Sequence, residues 1–377
     1  MPRAEAVTAR GDLLALLRAG GRVDGRRAAD WEGLVTEACG EGLGPWLHRT
    51  LRESGDLEAL PPAAAVALRA HARAVVARNL LLSDELVDVL RACRRHDVPC
   101  VPVRGPALAE DLYGDIAARP AGDLDLLVGR GDLPGVRRAL TELGFRELEH
   151  RRGFATAFSY ALTFVKPRHG WVVVEPHWSL AYPPFVDDVP VESVWADCRP
   201  ARVLGVESLR LSPEALLVHL GLHLLHPEGG PPLLWAWELD RLVRREGDAL
   251  DWRRVLAIAA RPGPAWLLAR ALALVCAGLD TPVPPEAHAA LARGGEAVDP
   301  RLRAVLGRPG LRGREELATF LALRGARPRL RYALGLLFPS PAFLALREAG
   351  VPATAYLRRA GRLAWSATRA VARAARA

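Results

Sequence analysis

The spacing of apolar residues predicts that the chain begins and ends in helical regions. Between residues 10 and 95, apolar side chains recur at intervals of three and four, which places them on one face of an α-helix. The same spacing returns from Leu216 onward. It follows Ser212 and Pro213, a typical helix start, because serine caps the first turn and proline suits its first position.

Between these helical regions, short apolar runs separated by turns predict strands. The predicted strands are residues 98–103, 123–128, 145–149, 157–166 and 171–178. Helices are expected at 107–113 and 133–143. Pro106 suits a first helical turn, and Gly144 suits a helix end. This alternation indicates an α/β or α+β block of about 100 residues.

The changes of pattern divide the chain into four expected segments. They are a helical N-terminal region at 1–97, an α/β core at 98–206, a helical C-terminal domain at 207–350, and a basic C-terminal helix or tail at 351–377. Gly- and Pro-rich breaks at 229–232 and 338–341 separate helices within the third segment. The arginines of the last segment favour a solvated tail over membrane-surface or nucleic-acid contact.

Composition and charge narrow the function classes only slightly. The net charge is +8, but most of the positive charge is arginine in an alanine-rich chain, a mix typical of GC-rich coding. A basic surface still favours phosphate-bearing partners. Five cysteines without a CxxC motif disfavour a disulfide framework and fit a reducing cytoplasm. No signal peptide or transmembrane segment is expected, so the predicted location is cytoplasmic.

Two aspartates at the start of one predicted strand are the main candidates for metal ligands. Alternate strand residues face the same side, so Asp123 and Asp125 point together while Leu124 and Leu126 point into the core. Adjacent carboxylates beside a buried strand repel each other unless a cation lies between them. Because Mg²⁺ prefers carboxylate and phosphate oxygens, the pair predicts a site for Mg²⁺ or Mn²⁺.

The strand at 171–178 supplies a third acid. Glu175 follows three valines, and alternation places it on one face with His177. Two-metal phosphoryl or nucleotidyl transfer needs such a third carboxylate. Glu175 is therefore the candidate third ligand or base, and His177 is a candidate partner for it, with a purely structural histidine as the alternative.

An isolated Asp-x-Asp pair has other interpretations. A solvated strand end is the commonest, and sugar-nucleotide glycosyltransferases also bind a divalent metal through such a pair. Here a strand, an Arg-Gly turn and a helix come before the aspartates, and a strand with a single acid follows them. That context favours nucleotidyl transfer.

Three motifs together resemble the uncharacterised nucleotidyltransferase family of the polymerase-β superfamily. They are residues 103–113 (Val-Arg-Gly-Pro-Ala-Leu-Ala-Glu-Asp-Leu-Tyr), 119–128 (Arg-Pro-Ala-Gly-Asp-Leu-Asp-Leu-Leu-Val) and 174–178 (Val-Glu-Pro-His-Trp). Residues 216–223 and 237–241 are similar to the helical half of that family. The resemblance implies an α+β fold, with a small mixed β-sheet nucleotidyltransferase core and helical regions on both sides.

The resemblance also implies roles for individual residues. The implied metal ligands and catalytic acids are Asp123, Asp125 and Glu175, and the implied nucleotide-binding residues are Arg104, Gly105 and Arg119. The Arg-Gly turn would lie near the triphosphate, since amides at a helix N-terminus bind phosphate oxygens. Arg119 would pair with the acidic cluster or reach a phosphate.

The turn itself departs from the wider superfamily, which usually has Gly-Ser there. This chain has Arg104, Gly105 and Pro106. Proline offers no amide hydrogen, whereas arginine supplies charge and a planar set of donors. The departure leaves open a catalytically inactive protein that binds or scaffolds.

A second set of potential metal ligands lies in the predicted C-terminal helices. His219, His223 and His226 are spaced by four and three residues and so share one helix face. Zinc sites use such spacing, but packing against the core is the favoured interpretation. Asp240, beside Arg241, is expected to orient these histidines or, more simply, to form a surface ion pair.

We therefore expect a metal-dependent enzyme that transfers a nucleoside monophosphate from an NTP to an acceptor. Glu175 would activate the acceptor hydroxyl or bind metal, and Arg104 and Arg119 would balance phosphate charge. The acceptor stays open among a small molecule, a peptide, a protein and RNA. The alternatives are an inactive scaffold and a nucleotide-sugar glycosyltransferase, the latter disfavoured by the short α/β block.

Overall fold

The computed structural model describes residues 2–20, 30–148, 151–226, 233–308, 311, 313–341 and 343. Its helices are α1 (Pro2–Arg18), α2 (Trp31–Gly40), α3 (Gly44–Ser54), α4 (Pro62–Arg95), α5 (Gly105–Tyr113), α6 (Leu133–Glu142), α7 (Phe154–Phe158), α8 (Pro213–Leu224), α9 (Leu233–Glu246), α10 (Trp252–Ile258), α11 (Pro262–Leu279), α12 (Pro285–Gly294), α13 (Pro300–Leu306), α14 (Arg314–Ala322) and α15 (Ala326–Leu337). Its strands are β1 (Cys100–Pro102), β2 (Leu124–Val128), β3 (Arg146–Glu147), β4 (Phe164–Pro167), β5 (Trp171–His177), β6 (Arg199–Val203) and β7 (Val206–Arg210). The predicted break at 229–232 and the predicted basic segment at 351–377 lie outside the described residues.

Helix α4 joins the N-terminal helices to the sheet. It has 34 residues, which makes it about 50 Å long at 1.5 Å per residue. Its first half buries Leu68 among the N-terminal helices, and its second half buries Leu82 and Leu86 against the sheet. One amphipathic helix therefore contributes to two hydrophobic cores.

Five strands form one small mixed sheet in the order β1-β2-β5-β4-β3. β2 and β5 are parallel, and the other pairs are antiparallel. On one face, Leu124 and Leu126 pack with α4 and α6, as alternation predicted, and on the other face Leu127 packs with α8. The predicted fold class, a small mixed sheet between helical regions, is confirmed.

The sequence prediction was wrong at residues 157 and 158, which it placed in a strand. They belong to helix α7, and strand β4 begins only at Phe164. Phe154 and Phe158, one helical turn apart, both contact the ring of Tyr332 on α15, at 5.6 and 5.1 Å between centroids. A long-range aromatic contact therefore favours helix in a segment whose local pattern indicates a strand.

The hairpin of β6 and β7 was not predicted. Its two connecting residues, Leu204 and Gly205, both have positive φ angles, of 49° and 78°. Such two-residue turns match the twist of paired strands and usually contain Asn-Gly or Asp-Gly. Because Leu204 occupies the turn position where Asn or Asp is usual, the sequence did not indicate a hairpin.

Helix α11 lies inside the largest hydrophobic core. Among the described residues it alone is long and apolar enough to cross a membrane. Leu268, Leu272 and Val275 are fully buried against the surrounding helices. The helix therefore has the surroundings of a core helix, and the described part of the chain has no clear transmembrane segment.

Candidate metal and nucleotide site

The pairing of β2 with β5 brings three potential metal ligands together. Asp125 lies opposite Glu175 in the parallel register, and His177 follows on the same face. Their ligand atoms all lie within 4.8 Å of one another. His177 Nε2 is 3.2 Å from Asp125 Oδ1 and 3.9 Å from Glu175 Oε2. We call these three residues the strand cluster.

Asp125 is the most enclosed member, with 2% of its surface exposed. Arg104 Nη1 donates a hydrogen bond to its Oδ2 at 3.0 Å. Burial raises the pKa of Asp125, but the Arg104 guanidinium and the hydrogen-bonded His177 outweigh it, so the pKa lies below its ordinary value. Burial lowers the pKa of His177, and its hydrogen bond to Asp125 reverses the direction and raises it.

The other two carboxylates, those of Asp123 and Glu175, have raised pKa values, whereas the pKa of Asp125 is lowered. Asp123 lies in the bend before β2. It is close to the strand cluster but is not one of the three residues of that cluster. The Asp125 carboxylate, and then burial, raise the pKa of Asp123 to about 6. Burial raises the pKa of Glu175 to about 7, and Thr163 Oγ1 donates to Glu175 Oε1 at 3.1 Å. The positive charge near Asp123 and Glu175 is therefore too small to keep both carboxylates fully ionised.

The Arg104–Gly105 turn is packed directly against the strand that carries the aspartates. Gly105 has a φ of +64°, and a Cβ atom there would lie 2.9 Å from the backbone oxygen of Asp123. Glycine is required both by the backbone conformation and by this close approach. Pro106 stands in the first turn of α5, as predicted, and the Arg104 guanidinium lies 5.4 Å from the Trp235 ring centroid.

Arg119 lies elsewhere than the sequence suggested. It was expected to pair with the acidic cluster or reach a phosphate, but it is buried with its Nε 2.5 Å from Glu238 Oε1 of α9. The charges are in contact although the N–H does not point at the oxygen. Arg119 Nη1 donates to the Gly105 carbonyl at 3.0 Å. The Arg119–Glu238 pair thus connects the helical region to the turn.

Two buried polar residues that sequence reasoning missed support the same loop. Glu238 is the partner of Arg119, and its burial raises its pKa. Asn79 of α4 donates to the carbonyls of Ile116 and Arg119 and accepts from the Ala121 amide at 3.1 Å. A polar residue on the apolar face of α4 and an acid on the apolar face of α9 were the available signals.

His219 and His223 of α8, together with His226 just after the end of α8, form a stack of rings that we call the histidine row. The centroids of His219 and His223 are 6.3 Å apart, and those of His223 and His226 are 5.8 Å apart. Within the described part of the chain, only the strand cluster meets the geometry of a metal site. The described packing of these rings agrees with the interpretation favoured from the sequence.

The histidine row is also uncharged at neutral pH. Burial lowers the pKa of His219 to about 3 and that of His226 to about 4, with Arg104 and His177 adding to both shifts. Within the described ranges, neither ring nitrogen of His219 has a hydrogen-bond partner. Tyr160 Oη lies 3.1 Å from His226 Nε2, so the row and the strand cluster meet through Tyr160, whose ring contacts His177.

Asp240 has neither of its expected roles. It is buried, and it accepts from Arg244 Nε at 2.8 Å and from Thr281 Oγ1 at 2.8 Å. It therefore connects α9 to the end of α11 and does not contact the histidine row. The surface ion pair with Arg241 is also wrong, because the Arg241 guanidinium lies over the rings of Tyr113 and Trp237.

The donor set of the strand cluster suits a divalent cation. Two carboxylates and one imidazole converge, and the Asp125 carboxylate raises the pKa of the neighbouring Asp123 because like charges repel, whereas burial is the main cause of the raised pKa of Glu175. A cation would relieve this repulsion. Carboxylate oxygens suit Mg²⁺, and the added imidazole is compatible with Mn²⁺.

The chain is similar to a known protein family and to solved structures. A family model described as an uncharacterised nucleotidyltransferase matches residues 27–279. The crystal structure of ANT(2")-Ia in complex with adenylyl-2"-tobramycin is similar at 17% identity and a TM-score of 0.34, covering 50% of this chain and 97% of that chain. An antigenic nucleotidyltransferase-like protein from Paracoccidioides brasiliensis is similar at 16% identity and a TM-score of 0.33, covering 56% and 91%. No curated protein matches.

Proposed function

Because this chain belongs to the family of uncharacterised nucleotidyltransferases, we propose that it transfers a nucleoside monophosphate from an NTP to an acceptor, with a divalent cation at the strand cluster. The family and the fold support a nucleotidyl transfer activity. The observation that carries the finer proposal is the convergence of Asp125, Glu175 and His177 beside the Arg104–Gly105 turn. A cytoplasmic location, with its NTP supply, is part of the proposal.

The metal would be Mg²⁺ or Mn²⁺, held by Asp125 and Glu175 with Asp123 and His177 beside them. When bound, it would supply positive charge to the phosphates of the NTP. The raised pKa of Asp123 supports this arrangement, because an extra cation near Asp125 would allow both aspartates to ionise.

Glu175 is proposed either as a ligand of the metal, as above, or as the general base. Its pKa of about 7 matches the working pH of a base that must both accept and release a proton. The acceptor hydroxyl oxygen would attack the α-phosphorus, its proton would pass to Glu175, and pyrophosphate would leave. His177, hydrogen-bonded to Asp125, would hold that carboxylate in place.

The turn would bind the phosphates. Arg104 provides a fixed positive charge, and amides in the first turn of α5 add partial positive charge, although Pro106 has no amide hydrogen. Arg119 would act indirectly, because it holds the Gly105 carbonyl. The acceptor, whether a small molecule, a peptide, a protein or RNA, is left open by these contacts.

A binding or scaffold protein without turnover is the second candidate. The Arg104 guanidinium already neutralises Asp125, so that carboxylate has a counter-ion within the chain. This contact is what an inactive fold would use to remain stable without metal. No described contact favours a nucleotide-sugar glycosyltransferase.

Thermal-shift measurements test the proposal. Each NTP, UDP-sugars and GDP-sugars would be added with and without Mg²⁺ or Mn²⁺, since a ligand that binds the folded state raises the melting temperature. We expect a metal-dependent increase with one or more NTPs in the wild type. Asp125→Asn should lose it, and Asp84→Asn, a change at an exposed aspartate on α4, should retain it.

The outcomes separate the candidates. A shift with an NTP that persists without metal and in Asp125→Asn would favour the scaffold. A shift only with nucleotide sugars and Mn²⁺ would favour a glycosyltransferase. No shift with any nucleotide in a folded protein would exclude the transferase.

A further inference from the structure

A cavity between α7 and α15 has no part in the proposed transfer. Its volume is about 340 Å³, within the range of about 300–1,000 Å³ that is common for small-molecule sites. The lining includes four arginines, Arg151, Arg152, Arg327 and Arg331, and no acidic residue. The combination of a concave shape and a single sign of charge indicates an anionic ligand.

Most of these arginines have no counter-ion. Among the described residues, Arg151, Arg152 and Arg327 make no ion pair, and Arg331 donates only to the Gly153 carbonyl, at 3.2 Å. Many other arginines of the chain are paired with acids; Arg210, for example, contacts two carboxylates. Four guanidinium groups around one cavity therefore repel each other unless an anion lies among them.

The rest of the lining is apolar. Phe154, Leu330 and Leu334 complete it. Leu330 and Leu334 lie one turn apart on α15 and are 62% and 41% exposed, among the most exposed large apolar side chains described. An apolar group seated there would remove their surface from water.

The chain's own C-terminal segment does not fit this cavity by charge. Residues 344–377 contain seven arginines and one glutamate, so they would add positive charge to a positive lining. A simple inorganic anion would leave the leucines exposed, and a neutral apolar molecule would leave the arginines without a counter-ion. The occupant must combine both properties.

We propose that this cavity binds a small amphiphilic anion, a molecule with an apolar chain or ring and a phosphate or carboxylate group. Arg151, Arg152 and Arg327 bind the anionic group, and Leu330, Leu334 and Phe154 contact the apolar part. The site is separate from the strand cluster and does not depend on the proposed transfer.

Isothermal titration of the full-length protein tests the proposal. The probes are dodecyl phosphate below its micelle concentration, inorganic phosphate and the neutral octyl glucoside. We expect dodecyl phosphate to bind at one site per chain, at least about tenfold more tightly than either other probe, because only it uses both halves of the lining.

Variants locate the binding. Arg327→Gln and Leu330→Gln should each weaken dodecyl phosphate binding by about tenfold. Two matched controls should leave it unchanged. Arg329→Gln removes an arginine of the same helix that points to Leu323 and Phe320, and Val66→Gln changes an apolar residue on α4 that is 64% exposed.

Three results would overturn the proposal. The first is equal binding of inorganic phosphate or octyl glucoside. The second is an equal loss in the control variants, which would show non-specific binding to arginines or apolar surface. The third is binding to phosphatidylglycerol vesicles with no binding of free dodecyl phosphate, which would assign the arginines to a membrane surface.

Discussion

The strand cluster and the histidine row both have the spacing of metal ligands, but only the strand cluster has the geometry. Asp125, Glu175 and His177 come from two paired strands, and their ligand atoms meet within 4.8 Å. The histidine row comes from one helix and the residues just after it, and its rings stack about parallel, with angles of 27° and 18° between planes. The spacing of potential ligands therefore brings ligand atoms together in the paired strands, whereas in the histidine row it stacks the rings.

The reason lies in what each set contacts. Parallel register fixes Asp125 opposite Glu175, so both side chains leave the same face of the sheet next to each other. Along and just after α8 the rings pack on one another and on the Trp235 ring, 4.2 Å from His223, and both nitrogens of His219 lack a hydrogen-bond partner among the described residues. Ligand atoms converge here because two neighbouring strands bring their side chains together. Side chains that share one face of a single helix do not necessarily converge.

The largest expected effect comes from removing the support of the strand cluster. Glu238→Gln leaves Arg119 buried without a counter-charge, which should lower the free energy of unfolding by about 3–5 kcal/mol. Urea denaturation measures this. Glu58→Gln is the matched control, because Glu58 is 81% exposed in its pair with Arg69, and it should cost about 0–1 kcal/mol. Equal losses of the free energy of unfolding in the two variants would show that the Arg119–Glu238 pair does not contribute to stability.

The second prediction compares the two ligand sets directly. Asp125→Asn should weaken Mg²⁺-dependent binding of a non-hydrolysable NTP by about 10- to 100-fold, because it removes a proposed metal ligand. His219→Phe should leave that binding nearly unchanged. Calorimetric titration with and without Mg²⁺ gives both values, and circular dichroism checks that each variant is folded. A loss in His219→Phe equal to that in Asp125→Asn would give the histidine row a part in the site.

In metal-free protein, the contributions of Glu175 and His219 to the free energy of unfolding should change in opposite directions with pH. Folding raises the pKa of Glu175 to about 7, so the stabilisation from its neutral form is complete below its unfolded pKa and is lost as the pH rises from about 4.5 through 7. Folding lowers the pKa of His219 to about 3, so stability is lost as the pH falls from about 6.5 toward 3.

Unfolding curves across this pH range provide the measurement. Mg²⁺ should reduce the loss on the alkaline side, since it favours ionised carboxylates. Glu175→Gln should flatten the alkaline side only, and His219→Phe the acidic side only. Identical pH profiles for the wild type and both variants would contradict the assignment.

The smallest expected effect concerns the unpartnered nitrogens of His219. His219→Phe replaces a buried ring that has no hydrogen bonds with an apolar ring of similar shape, and it should raise the free energy of unfolding by about 1 kcal/mol. His177→Phe is the contrasting change, because it removes the hydrogen bond to Asp125 and should destabilise. Chemical denaturation of both variants checks the signs. Destabilisation by His219→Phe would mean that the imidazole has a partner.

The elements of the site could be predicted from local patterns. Alternation placed Asp125 on one face with Asp123 and placed Glu175 with His177, and the Ser212 cap marked the start of α8, where its hydroxyl accepts from the Ala215 amide. The shared face of Glu175 and His177 and the cap at Ser212 agree with the structure, because strand alternation and helix capping depend on neighbours within a few residues.

Other features could not be read from the sequence. Glu238 lies 119 positions from its partner Arg119, and the helix at α7 depends on Tyr332. Nothing in the local sequence specifies such contacts, because the free energy that decides them comes from burial against distant elements. The contact of Arg119 with Glu238 could not be predicted from the sequence for this reason.

The sequence by itself determined which residues are candidates for the chemistry and which way they face on their own strand or helix. The tertiary structure decided which of them meet: β5 pairs with β2 and completes the strand cluster, and Arg104 turns onto Asp125. It also placed α8 against the sheet, so that the histidine row became a packed, neutral stack. The physical reason is that side-chain direction is set by local backbone geometry, whereas distances between ligands are set by how separate elements pack.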